Sequence, residues 1–262
     1  VNKENIMKIA VITVASSGIG KKFAEELSSR FTFDEVWLIA RRKNELESLA
    51  ETLPYKTRVI DADLTKDETK EKYKEILSQL NPEIELLINC SGFGKFCATD
   101  DVDVDVNLNM VDLNCKAVLY MCQLSLPYMK SGARIINVAS VAAFQPIPYI
   151  NVYAATKAFV LSFSRALNRE LKKRKISVTA VCPFWTKTEF FNRAVKEGEE
   201  KVVKKYVAMY DPKDVVRRAY KDAIRRKDVS KYGFIARFQA GLCKILPHSL
   251  IMNIWQSQQK LK

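Results

Sequence analysis

The chain reads as a doubly wound α/β protein: a single domain with a parallel sheet of about seven strands and helices on both faces. Three observations predict this. Apolar runs of strand length alternate with segments whose apolar residues fall three and four apart, the pattern of βαβ units. The early runs are apolar throughout, as strands covered on both faces are. The 262 residues, 48% hydrophobic and 28% charged, suit one such domain and exclude disordered and fibrous classes.

The predicted strands are Ile9–Val14, Val36–Ala40, Arg58–Asp61, Glu85–Asn89, Ala133–Ala139 and Ser177–Cys182. Between them, spacings such as Phe23, Leu27, Phe31 and Ala158, Leu161, Phe163, Leu167, Leu171 predict helices, joined to the strands by right-handed crossovers. Asp101–Val106 alternates with period two, like an exposed strand. Val106, Met110, Val111 and Leu113 then follow helical spacing, so the aspartates are read as a helix start. Asp211-Pro212-Lys213 is a cap with proline at the first helical position, opening a helix through about Lys227. Residues 233–246 form a basic amphipathic segment stopped by Pro247, and a last short helix carries Trp255.

Composition narrows the function classes. Net charge is +13, and residues 190–262 hold 17 Lys and Arg against 7 Asp and Glu. The basic excess therefore sits in the C-terminal quarter, yet no nucleic-acid module accompanies it. No run of apolar residues is long enough to span a membrane, and the apolar start Ile9–Val14 is too short for a secretory signal. Six cysteines without a C-x-x-C pair predict reduced thiols, no metal site and a cytoplasmic protein. His248, the only histidine, is read as a surface or structural residue.

Thr13-Val14-Ala15-Ser16-Ser17-Gly18-Ile19-Gly20 follows the first strand and opens the first helix. Glycines there let backbone N–H groups approach a pyrophosphate at the positive helix N-terminus. The second strand ends on Ala40, where an NAD-binding chain of this fold carries an acid for the ribose 2′-hydroxyl, and Arg41 and Arg42 follow. Guanidinium forks suit a 2′-phosphate, which predicts NADP. Asp63 and Leu64, after the third strand, are placed to meet the adenine.

Tyr153 and Lys157, four apart, share one helix face, where an ammonium favours the phenolate and lets the phenol exchange its proton near neutral pH. Ser140 ends the strand before them, Asn89-Cys90-Ser91-Gly92 ends the fourth strand, and Asn114 lies in the following helix. With these motifs in order, the sequence resembles the short-chain dehydrogenase/reductase family over nearly its whole length. Its glycine motif is similar to Thr13–Gly20, its Asn-Asn-Ala-Gly to Asn89–Gly92, its Asn–Ser–Tyr–Lys tetrad to Asn114, Ser140, Tyr153 and Lys157, and its Pro-Gly-x-x-x-Thr loop to Pro183–Thr188. Within the family, Cys90–Gly94 and the long tail resemble bacterial reductases of broad or lipid-like specificity.

The resemblance implies an NADP(H)-dependent oxidoreductase interconverting a ketone and a secondary alcohol. Tyr153 would be the general acid, Ser140 would hydrogen-bond the carbonyl oxygen, and Lys157 would lower the tyrosine pKa and hold the nicotinamide ribose. Asn114 would hold a water of a proton relay, and Thr188 would contact the cofactor. Cofactor contacts would come from Thr13, Ser16, Ser17, Gly18, Ile19, Gly20, Arg41, Arg42, Asp63, Leu64, Asn89, Ser91, Gly92, Pro183, Thr186 and Thr188, with Tyr153 and Lys157. Phe93, Ala142, Phe144, Ile150, Trp185 and Phe190 would line an apolar substrate cleft without an evident charged group, suited to a steroid, bile acid or fatty acyl chain.

Two departures stand out. Val14 replaces the motif's first glycine and Phe184 the glycine after Pro183; they motivate the alternative of an NADP(H)-binding sensor without turnover. Residues 1–232 are expected to form the NADP-binding domain with the tetrad, and 233–262 a helical extension that must bury its apolar face. A lid over the pocket or a subunit contact, in a homodimer or homotetramer, is favoured over an anionic membrane.

Overall fold

Seven strands form one parallel sheet: β1 (Lys8–Thr13), β2 (Glu35–Ala40), β3 (Thr57–Asp61), β4 (Glu83–Asn89), β5 (Arg134–Val138), β6 (Ser177–Val181) and β7 (Val229–Ser230), in the order β3-β2-β1-β4-β5-β6-β7. The computed structural model describes residues 6–195 and 202–261, so positions 1–5, 196–201 and 262 of the two expected segments lie outside the described residues. All six predicted strands are present within one or two residues of their expected ends. The seventh, β7, is two residues long and carries no pattern of its own. It is held at the sheet edge by Cys182 N–H donating to the Ser230 carbonyl (2.8 Å) and by the Ser230 hydroxyl donating to Asp222 (2.9 Å).

Along the central strands, alternate side chains enter opposite layers. Ile9, Val11, Trp37 and Ile39 pack in one core, while Ala10, Ile12, Val36 and Leu38 pack in the other. Both faces are dry, which is why these strands are apolar without alternation. The helices α1 (Gly18–Glu26), α2 (Lys43–Thr52), α3 (Asp67–Leu80), α4 (Val104–Val111), α5 (Ala117–Ser125), α6 (Asn151–Glu170), α7 (Phe190–Ala194) and α8 (Pro212–Ile224) fill the crossovers and cover the two layers. The acidic stretch is a helix start, as expected: Asp103 caps α4 by accepting from Asp105 N–H at 2.7 Å. Asp211 caps α8 in the same way, from Lys213 N–H at 2.7 Å.

After β7 come α9 (Phe234–Leu242) and α10 (His248–Gln259). Gly233, at φ +87°, turns the chain into α9 against Tyr210, where a Cβ would collide with the ring and its hydroxyl. No described helix is long and apolar enough to cross a membrane.

Candidate active site

Strand order reverses at β1, whose neighbours are β2 and β4, so the crevice of the sheet opens at the carboxyl ends of these strands. A cavity of about 850 Å³ runs from there across β5 and β6 to the C-terminal helices.

Its first half is built largely from backbone and turn residues. Ser16 to Gly20 line it at the N-terminus of α1, where Ser17 makes no side-chain capping bond and the first N–H groups are left for a ligand. Val14 adopts φ +52°, the left-handed conformation that a glycine takes without strain, and its N–H donates to Ile39 O at 2.7 Å. Ala40, Arg41, Arg42, Asp63 and Leu64 continue the wall. Arg41 pairs with Asp63 (3.6 Å). Arg42 pairs with Glu45 (2.8 Å) and reaches Glu189 (3.5 Å) across the cleft, so three carboxylates share the surroundings of the two arginines. Burial would raise the Asp63 carboxyl, but hydrogen bonds from the Thr65 N–H and hydroxyl, with Arg41 beside them, hold it below its ordinary range. A crevice lined by the start of a helix and two guanidiniums fits the pyrophosphate of a dinucleotide.

The chemical groups meet at the middle of the cavity. Ser140 follows β5, and its hydroxyl hydrogen-bonds Tyr153 and accepts from Ala142 N–H at 3.1 Å. Lys157, one turn on from Tyr153 in α6, is 4% exposed and donates to the Val138 carbonyl at 2.9 Å. Gly92 leaves room for it, since a Cβ there would lie 2.9 Å from Lys157 Nζ and 3.0 Å from Asn114 Oδ1.

The surroundings of Asn114 and Tyr153 were not legible in the motifs. Asn114 sits in a π-helical turn, Asp112–Lys116, between α4 and α5. Its side chain accepts from Phe93 N–H (3.0 Å) and donates to Phe93 O and Thr156 Oγ1 (both 2.9 Å). It clamps the loop after β4, giving both amide hydrogens to that clamp. The tyrosine is not brought below its ordinary value. Burial pushes Tyr153 up to about 12, and the Ser140 hydrogen bond is what opposes it. The Lys157 nitrogen lies 5.7 Å from the Tyr153 ring centre, and burial lowers Lys157 to about 8. Desolvation dominates at both groups, so near pH 7 the site holds a neutral phenol beside an ammonium.

The second half of the cavity is a wall of side chains. Phe93, Ala142, Ile150, Phe184, Trp185 and Phe190 line it, and Tyr153 packs on Phe190 with ring centres 5.4 Å apart. The C-terminal helices complete it with residues that no motif announced: Ile235, Phe238, Leu242, Cys243, Ile251, Ile254 and Trp255. They are fastened to the loop after β5. Gln145 Oε1 accepts from Cys243 Sγ (2.8 Å) and Gln239 Nε2 (3.2 Å), and Trp255 Nε1 donates to Pro148 O (3.1 Å). Lys205 stands at the rim, one charge where none was expected. The amphipathic spacing of residues 233–246 was the only advance signal of this wall.

Four expected contacts lie elsewhere. Thr13 is fully buried and staples β1 to β4, accepting from Cys90 N–H at 3.0 Å. Asn89 donates to Asn137 (2.9 Å) in a polar chain inside the sheet that continues to Ser164 (2.9 Å). Ser91 is buried and does not line the cavity. Phe144 turns away into the neighbouring core, with Lys231 over its ring at 5.5 Å. Each sits next to a lining residue whose side chain points the other way, an alternation that sequence adjacency hides.

Comparison with known proteins agrees with this geometry. The family model of the short chain dehydrogenases matches residues 8–199. Very-long-chain 3-oxoacyl-CoA reductase-B of Danio rerio is 36% identical over 193 residues, covering 70% of this chain and 60% of that protein. A short-chain dehydrogenase from Sphingobium yanoikuyae, solved in complex with NADPH, superposes with a TM-score of 0.76 at 28% identity, covering 92% of this chain and 96% of that one. The bulky-bulky ketone specific alcohol dehydrogenase from Comamonas testosteroni superposes with a TM-score of 0.71 at 26% identity, over 94% and 96%. The matched segment holds the helix N-terminus, Ser140, Tyr153 and Lys157 of the cavity, and on those grounds the chain belongs to the short-chain dehydrogenase family of oxidoreductases.

Proposed function

We propose that this oxidoreductase uses NADP(H) to interconvert a bulky hydrophobic ketone, of the fatty acyl or steroid kind, with its secondary alcohol. The observation that carries the reading is one cavity with Ser140, Tyr153 and Lys157 at its centre, arginines at one end and an apolar wall at the other. Neighbours solved with NADPH or NADH support a nicotinamide cofactor, Arg41 and Arg42 favour its 2′-phosphorylated form, and the bulky-ketone and 3-oxoacyl-CoA relatives support the substrate class.

When bound, the nicotinamide supplies or accepts the hydride. The residues supply position and a proton. Ser140 donates a hydrogen bond to the carbonyl oxygen and fixes it against the Tyr153 hydroxyl. Tyr153, held neutral by burial, releases its proton to that oxygen as negative charge develops there. The Lys157 ammonium, held by the Val138 carbonyl, stabilises the phenolate left behind. Asn114 keeps the backbone at Phe93 in place beneath them. The apolar wall excludes water and orients the long part of the substrate.

The test is a panel of ketones of increasing bulk, followed by NADPH absorbance. Turnover rising from small to bulky apolar ketones, and faster with NADPH than NADH, is the expected result. Turnover confined to small polar carbonyls would overturn the substrate class, and no turnover with bound NADPH would favour the sensor.

A further inference from the structure

The helices that wall the cavity do not bury all of their apolar surface. On α9, Phe234 and Phe238 stack with ring centres 6.0 Å apart while remaining 79% and 60% exposed, and Ile245 beyond the helix is 82% exposed. Val207 and Ile254 are exposed too, and these two with Phe238 also line the cavity. The exposed apolar patch and the mouth of the cavity are therefore one continuous surface.

Charge says what covers it. Residues 231–262 contain five lysines and arginines and not one aspartate or glutamate. Arg237 and Lys244, both exposed, are seven apart and flank the apolar residues. An apolar face on a segment that carries basic residues and no acidic ones is complementary to an anionic lipid surface, where aromatic and aliphatic side chains enter the headgroup boundary and basic ones meet phosphates. A second copy of the same face would bring the same positive charges together.

We infer that the α9–α10 face docks on an anionic bilayer, with the mouth of the cavity turned toward the lipid. Docking needs no cofactor and no turnover. Its consequence, that an apolar substrate passes from the bilayer into the cavity without crossing water, rests on the proposed function.

The experiment is co-sedimentation of the full chain with vesicles of phosphatidylcholine containing phosphatidylglycerol, and with phosphatidylcholine alone. Binding to the anionic vesicles, reversed by salt, is expected. Arg237→Gln and Lys244→Gln each reduce it about fivefold, roughly 25-fold together. Phe234→Glu with Ile245→Glu abolishes it while NADPH binding in solution is unchanged, since neither residue lines the cavity. Absence of binding to either vesicle overturns the proposal. So does an oligomer that the Phe234→Glu, Ile245→Glu pair splits into monomers, which gives the face to a second copy. Docking without turnover would leave this inference standing while the proposed function fails, and turnover without docking would do the reverse.

Discussion

The two halves of the cavity are made of different materials. The dinucleotide half uses backbone N–H groups, turn geometry and the ends of strands, and its parts lie close together in sequence. The substrate half uses side chains from the loop after β5, from α7 and from two helices about a hundred residues further on, joined by Gln145 and Trp255. A pyrophosphate is the same in every nucleotide, so backbone geometry suffices to recognise it. An apolar substrate has no fixed polar points and is recognised by shape, which only packed side chains supply.

The comparison breaks most sharply where the halves meet. Tyr153→Phe keeps the ring on Phe190 and removes the proton. Turnover is expected to fall by roughly 10² to 10⁴ while the dissociation constant for NADPH stays within a few-fold. Near-native turnover would show that Tyr153 is not the acid.

Proton chemistry gives the next effect. Lys157 is pushed down to about 8, so its ammonium is present below that pH and lost above it. kcat/KM for ketone reduction should therefore fall about tenfold per unit above pH 8. Lys157→Met should be slow at all pH values and lack that limb; a variant that keeps it would assign the limb to another group.

Each half then has its own substitution. Arg41→Ala is expected to weaken NADPH binding about tenfold and leave NADH binding unchanged, with charge-assisted bonds to a 2′-phosphate worth about 1.5–3 kcal/mol less the existing pairing to Asp63. Trp255→Ala should raise KM for a bulky ketone about fivefold to tenfold, without moving the NADPH constant, by opening the wall that its indole ties to Pro148. If either variant moved both constants equally, the two halves would not be separable.

The smallest effect tests the turn. Val14 at φ +52° carries about 1–2 kcal/mol of strain, and its side chain is partly buried against the sheet. In Val14→Gly the relief offsets the lost packing, so stability should change by less than about 1 kcal/mol in a denaturant titration while NADPH binds more tightly. A loss above ~2 kcal/mol would mean that valine sits there without strain.

What the sequence by itself determined was whatever depends on local order. The six strands follow from runs such as Val36–Ala40, the helix start from the aspartates of 101–106, and the cap at Asp211 from the proline after it. The nearness of Tyr153 to Lys157 follows from the helical repeat, since residues four apart share a face. The left-handed turn at Val14 was legible as a misplaced side chain. Tertiary structure decided which way side chains point and what surrounds them. It turned Thr13, Asn89 and Phe144 into the layers rather than the cavity, committed the Asn114 amide to Phe93, and brought Trp255 to Pro148. It also set the protonation of the centre, because desolvation of Tyr153 and Lys157 comes from atoms contributed by every strand end around them. Burial is a sum over neighbours distant in the chain, and no local spacing encodes that sum.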